Sequence, residues 1–405
     1  MRSLHLLLII VISLLVGYAI GSAQLQLRFI DYTPKIAAVN RNPPAKYQTI
    51  DFEKFWRVLS RIEETYYDKK AINGEKVLNG AISGMVQSLG DPYTLYLPPK
   101  QNKDFKDGLA GQNFEGIGAE LGMQNGQIIV ISPLDNTPAK KAGIRPGDAI
   151  LKVDGKLTTG WTISQAVEKI RGPKGTPVIL TVMHKDDRNP TDITIIRGTI
   201  NVRSVEGWVK ESGKGKKVGY IRVSQFGDKT NKEWVEAVNT ISIYIKDSNF
   251  AGLVLDLRNN PGGYLTDARF IASEFLENGI VVIEEKGDGR QKDYLVERPG
   301  LLANIPLIVL INKGSASASE IVAGALSDRK RAKLIGETSF GKGTIQQAED
   351  LGEGAGLHVT VAKWLTPNGT WVHEKGITPD IEVKNNEDDK TKDLQLEKAM
   401  LELVK

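Results

Sequence analysis

Residues 306–326 read PLIVLINKGSASASEIVAGAL. An unbroken apolar run, Pro306 to Ile311, meets a Gly/Ser loop, and the loop opens into a segment with Ile321, Val322, Ala325 and Leu326 at helical spacing. A strand without a polar face is what a sheet covered on both sides requires. Residues 252–263, GLVLDLRNNPGG, repeat the arrangement of apolar strand and Gly-rich turn. In open α/β sheets, active sites favour such strand ends. Around this pair, residues 218–223 (VGYIRV) read as a further strand, and Thr230-Asn231-Lys232-Glu233 caps a helix bearing Trp234, Val238, Ile241 and Ile245. Residues 385–393 are charged and polar, 394–404 form an amphipathic helix, and no internal repeat is visible.

Three places carry chemistry. Ser315, Ser317 and Ser319 lie at a helix start, where free amides and the positive dipole end stabilise an oxyanion. N-capping alone explains at least one of the three hydroxyls. Residues 339–347, SFGKGTIQQ, set Lys342 between two glycines. Packing that desolvates its amine lowers its pKa from about 10.4 toward 7, which suits a general base. An exposed turn lysine explains a lone Gly-Lys-Gly equally, and the phosphate-loop pattern is absent. Gly262 and Gly263 suit a backbone amide aimed at a reacting carbonyl, or a plain turn.

Upstream, residues 114–184 change to short strands with two helices. Thr137-Pro138 starts a short helix, Asp154-Gly155 marks a hairpin, and Thr162 with Gln165 fits a capping box. With GIGAEL at 116–121 and AGIRPGDAILKVDG at 142–155, this order resembles a PDZ domain. The resemblance implies capture of a peptide C-terminus: the ligand adds a strand, and Gly116, Ile117, Gly118 and Ala119 form the carboxylate loop. Before it, residues 51–90 give two amphipathic helices, the second stopped by Gly90-Asp91-Pro92. Pro34 to Tyr47 reads as a linker. Arg2 followed by the apolar residues 6–20, with small Gly21 and Ala23 after them, reads as a signal peptide or an N-terminal membrane anchor.

Composition excludes several classes. The 405 residues suit two to three domains at about 100–200 residues each. A net charge of +4, dispersed along the chain, argues against nucleic acid as a partner. With no cysteine there is no thiolate nucleophile, disulfide or Cys-ligated metal. The four histidines, His5, His184, His358 and His373, have no helical metal-ligand spacing, so neither metal nor cofactor is expected.

Together, SASASEIVAGAL, SFGKGTIQQ, LVLDLRNNPGG and the PDZ-like segment resemble the carboxyl-terminal processing (tail-specific) serine proteases, from about Asp51 to the C-terminus. The resemblance implies a serine–lysine pair in place of a triad, and the family's spacing selects Ser317, 25 residues before Lys342. It further implies that Gln346 orients Lys342, that the amides of Ala318 and Gly263 (Gly262 the close alternative) hold the oxyanion, and that Arg171 relays PDZ occupancy. The expected fold is α/β multidomain: leader 1–23, linker 24–50, helical arm 51–100, PDZ domain 103–186 (β-sandwich-like with two helices), a crotonase-like tail-specific protease core 190–384, and a C-terminal segment 385–405. A triad enzyme lacks a well-placed histidine. An envelope-tethered PDZ adaptor with a dead hydrolase body is at odds with the presence of both Ser317 and Lys342, and a crotonase-like acyl-CoA enzyme explains neither the PDZ-like unit nor the leader. Expected partners are proteins or peptides with free C-termini, the membrane if the leader is retained, and a second copy in a homo-oligomer. The expected location is the cell envelope, beyond the cytoplasmic membrane.

Overall fold

The two apolar runs lie side by side as parallel strands, Leu253 opposite Leu307 through Asp256 opposite Leu310. The computed structural model that shows this describes every residue except 1, 22–24, 31–32, 39–44, 48–49, 112–113, 125, 135, 185–188, 201–202, 213–214 and 386–391. Two compact units result, Met1–Lys76 and Val77–Lys405.

The first unit holds helix α1 (Arg2–Gly21), strands β1 (Leu25–Ile30) and β2 (Thr33–Ala38), and helix α2 (Glu53–Thr65). Among the described residues, no helix is long and apolar enough to cross a membrane. Residues 22–24, the expected cleavage point, lie outside the described residues. The expected linker is in part a hairpin: β1 pairs antiparallel with β2 from Leu25–Ala38 to Ile30–Thr33. Leu25, Leu27 and Phe29 alternate with Gln26 and Arg28, the period of a strand. Phe52, Phe55, Trp56 and Ile62, at the helical spacing of α2, are all exposed in the single chain.

The unit boundary falls within α3 (Gly74–Gln87); the second unit continues with β3 (Leu95–Leu97) and α4 (Pro99–Leu109), a helix that the expected boundary at 100–103 cut through. Then come β4 (Phe114–Gly116), β5 (Ala119–Gln124), β6 (Gln127–Pro133), α5 (Pro138–Lys141), β7 (Ala149–Val153), β8 (Lys156–Leu157), α6 (Ile163–Ile170), β9 (Pro177–Met183), β10 (Thr191–Ile196) and β11 (Gly198–Ile200). Thr162 and Gln165 close the expected capping box on α6. The sheet runs β10-β9-β7-β6-β5. Strand β10 pairs with β9 along its whole length, so residues 191–196, expected in the protease core, belong to the PDZ-like sheet. Ile117, Ile128, Val130, Ile150, Leu180 and Ile195 share its core.

The remaining chain forms β12 (Val205–Glu211), β13 (Lys217–Val223), α7 (Thr230–Ser242), β14 (Phe250–Asp256), α8 (Leu265–Ser273), β15 (Ile280–Lys286), β16 (Gln291–Leu295), β17 (Leu307–Ile311), α9 (Ala318–Asp328), β18 (Lys333–Gly336), β19 (Thr344–Gly352), β20 (Ala355–Leu365), β21 (Ile381–Glu382) and α10 (Leu394–Leu403). Its main sheet has the order β12-β13-β14-β17-β18-β21, parallel from β13 onward. Side chains alternate between two cores. Leu253, Leu255, Val309 and Ile311 face α7, α8 and α9, whereas Val254, Ile308 and Leu310 face Leu396 and Ala399 of α10. A second sheet, β16-β15-β20-β19, takes β3 as an extra strand on β20. Val86 of α3, Tyr96 of β3 and Ala355 of β20 close a small core there. The helix expected to be capped at Thr230 has no side-chain cap; the Thr230 hydroxyl accepts from the Gly227 amide instead.

At the C-terminal end of β14, Asp256 is buried beneath Arg258. The guanidinium donates to Asp256 Oδ2 at 2.6 Å, to Asp393 Oδ1 at 2.7 Å and to Gln395 Oε1 at 3.0 Å, joining the strand end to α10. Burial alone would raise the Asp256 carboxyl, but Arg258 outweighs it and holds it down to about 2. Arg258→Met removes the guanidinium and leaves that carboxylate with the Tyr220 hydroxyl and the charge of Arg222; it is expected to cost about 3 kcal/mol in urea melts at pH 7, with Asp256→Asn in the same chain restoring part. A group held below its unfolded value stabilises above about pH 4 and ceases to as pH falls through about 2. The wild-type advantage over the double variant should vanish across that window.

Candidate active site

Two loops at the carboxyl ends of β14 and β17 are bolted together by side chains. Asn312 Oδ1 accepts from the amides of Asn259 and Gly314 at 2.9 and 3.0 Å. The Ser315 hydroxyl donates to Leu257 O at 2.8 Å and accepts from the Asn312 amide, and Ser319 donates to Asn260 O at 2.9 Å. Both serines are 0% exposed, so their hydroxyls are committed to structure. Ser317 between them is partly buried and sits at φ 54°, ψ −116°, immediately before α9. A non-glycine residue there stores about 1–3 kcal/mol of strain, and such strain is typical of functional turns.

The neighbouring turn must be glycine. A Cβ on Gly262 (φ 103°) would lie 2.7 Å from Ser317 Cβ and from Ala316 O; one on Gly263 (φ 137°) would lie 1.8 Å from Phe226 O. The Gly262 amide donates to Asn260 Oδ1 at 2.8 Å. Among the described residues, the amides of Gly263 and Ala318 have no protein acceptor. Of the two glycines weighed as oxyanion donors, Gly263 therefore has the available N–H.

The lysine loop runs from β18 to β19, and one carboxylate ties it to the serine loop. Glu320, fully buried on α9, accepts from the Ser317 amide (2.8 Å) and the Lys342 amide (2.8 Å) on Oε2, and from the Gly341 amide (2.7 Å) and the Ser339 hydroxyl (2.6 Å) on Oε1. Burial pushes its carboxyl up, and these four donors pull it back. Sequence reasoning assigned Glu320 no role, although Ser-x-x-Glu ahead of an apolar run is the signature that finds it. The glycines beside Lys342 allow close approach: a Cβ on Gly343 would lie 2.7 Å from Trp371 Nε1, and one on Gly341 2.9 Å from Gly376 N.

Lys342 Nζ lies 3.9 Å from Glu120 Oε1, on β5 of the PDZ-like sheet, and 5.0 Å from the centre of the Tyr93 ring. Burial raises the Glu120 carboxyl and the ammonium beside it opposes that shift. Gln346 is not on the lysine. Its amide nitrogen donates to Thr344 Oγ1 at 2.9 Å and to Thr360 Oγ1 at 3.1 Å. The expected orienting partner thus has its amide nitrogen on two threonines of its own sheet, and it makes no hydrogen bond to Lys342 among the described residues. Neither Glu120 nor Tyr93 had a sequence signal, because both reach the lysine across more than 200 residues of chain.

Beside this site, a cavity of about 1270 Å³ runs between the PDZ-like sheet and the core, lined among others by Tyr93, Met123, Ile129, Phe340 and His373. In the expected carboxylate loop, Gly118 (φ 75°) is pressed against Thr137, where a Cβ would lie 2.5 Å from Thr137 Cβ. Its carbonyl accepts from the Leu134 amide at 2.9 Å, and Ile117 O from the Ala139 amide at 2.8 Å. Ile117 is buried in the PDZ-like core, and Ala119 begins β5, the edge strand. Arg171 stands next to this loop, its Cγ 3.6 Å from where a Gly116 Cβ would be, and pairs with Asp104 of α4 at 2.7 Å. Three histidines have partners of their own: His184 Nδ1 lies 2.7 Å from Asp148 Oδ1, His358 packs on Phe105, and His373 stacks on Trp371.

Comparison with known proteins gives three family matches: Peptidase family S41 over residues 217–383, PDZ domain over 129–183, and Activating protease CtpB N-terminal domain over 14–100. The chain is 39% identical over 335 residues to the carboxy-terminal processing protease CtpB of Bacillus subtilis (strain 168), covering 82% of this chain and 68% of that one. It is 41% identical over 335 residues to the carboxy-terminal-processing protease of Bartonella bacilliformis, covering 82% and 74%. Among solved structures, the photosystem II D1 C-terminal processing protease superposes with a TM-score of 0.67 at 29% identity, over 82% of this chain and 92% of that one. With a helical N-terminal domain, a PDZ domain and an S41 core, this chain belongs to the carboxy-terminal processing proteases, and it is a serine-type peptidase.

Proposed function

We propose that the protein cuts polypeptides near their C-termini with a Ser317–Lys342 dyad. Ser317 Oγ attacks the scissile carbonyl carbon as its proton passes to Lys342 Nζ. The amides of Gly263 and Ala318 hold the oxyanion, and the departing amine then takes the proton from Lys342. Water hydrolyses the acyl-enzyme by the same route in reverse. The observation that carries this reading is Glu320: one buried carboxylate oxygen accepts from the backbone of both the nucleophile and the base. Gln346, its amide nitrogen anchored on Thr344 and Thr360, would orient Lys342 through its carbonyl Oε1.

Tail recognition is the second part of the proposal. A free C-terminal carboxylate would bind the amides of residues 116–119 while the peptide extends edge strand β5. Arg171, beside that loop and paired with Asp104, would exchange one carboxylate for another. Glu120 lies one residue beyond the loop, so a ligand that moves β5 also moves the acid facing Lys342. The N-terminal apolar segment supports export beyond the cytoplasmic membrane, and the uncovered side of α2 suits a second copy of the chain.

Mass spectrometry of peptide cleavage tests the dyad. Ser317→Ala and Lys342→Ala should each abolish products, and the double variant should be no worse than either. Ser315→Ala should retain most activity and lose about 1 kcal/mol of stability from its two hydrogen bonds. Activity from Ser317→Ala together with a dead Ser315→Ala would reject the register.

A substrate whose C-terminus is amidated should be cleaved markedly more slowly than its free acid. Arg171→Ala should lower turnover of that free acid more than it weakens tail binding. Equal rates for acid and amide would remove carboxylate capture.

Cleavage should rise with pH, since only the neutral amine accepts the serine proton. A carboxylate beside Lys342 favours the ammonium, so Glu120→Gln should move the rising limb of the pH–rate profile to lower pH and speed basal cleavage at pH 7. A limb that moves upward would contradict this.

A further inference from the structure

The turn that ends α3 does more than stop a helix. In residues 90–94, Gly-Asp-Pro-Tyr-Thr, Asp91 Oδ1 accepts from the Tyr93 amide at 3.0 Å and Asp91 Oδ2 from the Thr94 hydroxyl at 2.6 Å. Thr94 Oγ1 in turn accepts from the Thr360 amide at 3.0 Å, and β3 continues the attachment with Leu95 opposite His358 and Tyr96 opposite Leu357 on β20. Thr94 is buried. The turn is therefore built into the protease sheet, on the strand whose Thr360 hydroxyl also holds Gln346.

This anchoring aims the Tyr93 ring at Lys342, whose Nζ stands 5.0 Å from the ring centre. An ammonium in that position is attracted to the negative face of the ring. The other ionisable groups around the pair come from four elements. Glu120 faces the ammonium from β5, Glu320 on α9 acts on the Tyr93 phenol, and His358 on β20 feels the charge of Lys342. Glu374, with His373 beside the ring at 6.1 Å, completes the surroundings. Burial first, then Glu320, Glu120, Asp91 and Glu374, push the phenol above its ordinary range, so Tyr93 presents a neutral ring.

The two partners of Lys342 differ in what carries them. Glu120 rides on the PDZ sheet, whereas Tyr93 is fixed to the sheet that bears the lysine loop. A movement of the PDZ domain can take the carboxylate away but leaves the ring. We propose that Tyr93 is a positioning residue for Lys342: its ring face is the permanent seat of Nζ and holds the ammonium formed when the proton leaves Ser317. This rests on the dyad reading.

The test uses the full-length enzyme and a peptide with a free C-terminus, with kcat, KM and pH profiles for variants at position 93. Tyr93→Phe keeps the ring and should stay within about twofold of wild type. Tyr93→Leu should lower kcat about tenfold with KM within about twofold, and move the rising limb to lower pH by about half a unit, because the ammonium loses its partner. Phenylalanines of increasing fluorination keep the shape while draining the negative face, and should shift the limb downward step by step. That series decides the matter even if Tyr93→Leu folds poorly. A fluorinated ring with the profile of Phe, or a Tyr93→Leu profile superimposable on wild type, would overturn the proposal. Lys342→Ala separates the two readings: activity without the lysine sinks the dyad, whereas a dead Lys342→Ala beside an indifferent position 93 sinks only the seat.

Discussion

A single buried carboxylate holds the catalytic half of this molecule in register. Glu320 takes four hydrogen bonds inside the core, two to each oxygen, and three of the donors are main-chain amides. A carboxylate removed from water is costly unless its lone pairs are satisfied. Here the satisfying groups come from two loops that the sheet alone does not connect, the turn before α9 and the Gly-Lys-Gly turn before β19. Placing the acid in the first turn of α9 also sets it against the positive end of the helix.

Around that anchor, close backbone approach does the rest. Gly262 and Gly263 bring their turn within van der Waals range of Ser317 and Phe226, and Gly341 and Gly343 allow the lysine loop its own close approaches. Ser315 and Ser319 spend their hydroxyls on the carbonyls of Leu257 and Asn260. Ser317, between them, bears the strain of the turn, which the bolted loops on either side are stiff enough to impose.

The PDZ sheet reaches this arrangement through Glu120, which faces Lys342, and through Ser132, whose hydroxyl is 2.9 Å from the place of a Gly314 Cβ. The protease sheet reaches it through the Asp91–Thr94 turn. The lysine thus stands between one partner on each domain.

Much of the fold was legible from local pattern. The apolar runs at 252–257 and 306–311, the capped helix at 163–170 and the stop at Gly90 each depend on neighbours a few residues away, and each is found where its pattern put it. Joined motifs pointed to Ser317, Lys342 and Gly263 through a family resemblance, and their roles stand as proposed. Residues 191–196, expected in the protease core, join the PDZ sheet because a six-residue strand does not encode which edge it joins; pairing with β9 decides that. The helix at 99–109 was missed because a polar stretch opening on two prolines carries little periodicity. The two threonine hydroxyls that hold the Gln346 amide nitrogen are contacts its place in the sequence does not reveal. The sequence by itself determined the chemical groups and the loops that carry them. Only the tertiary structure decided what Lys342 meets, Glu120 and Tyr93, because contacts between residues hundreds of positions apart are fixed by packing and leave no local trace.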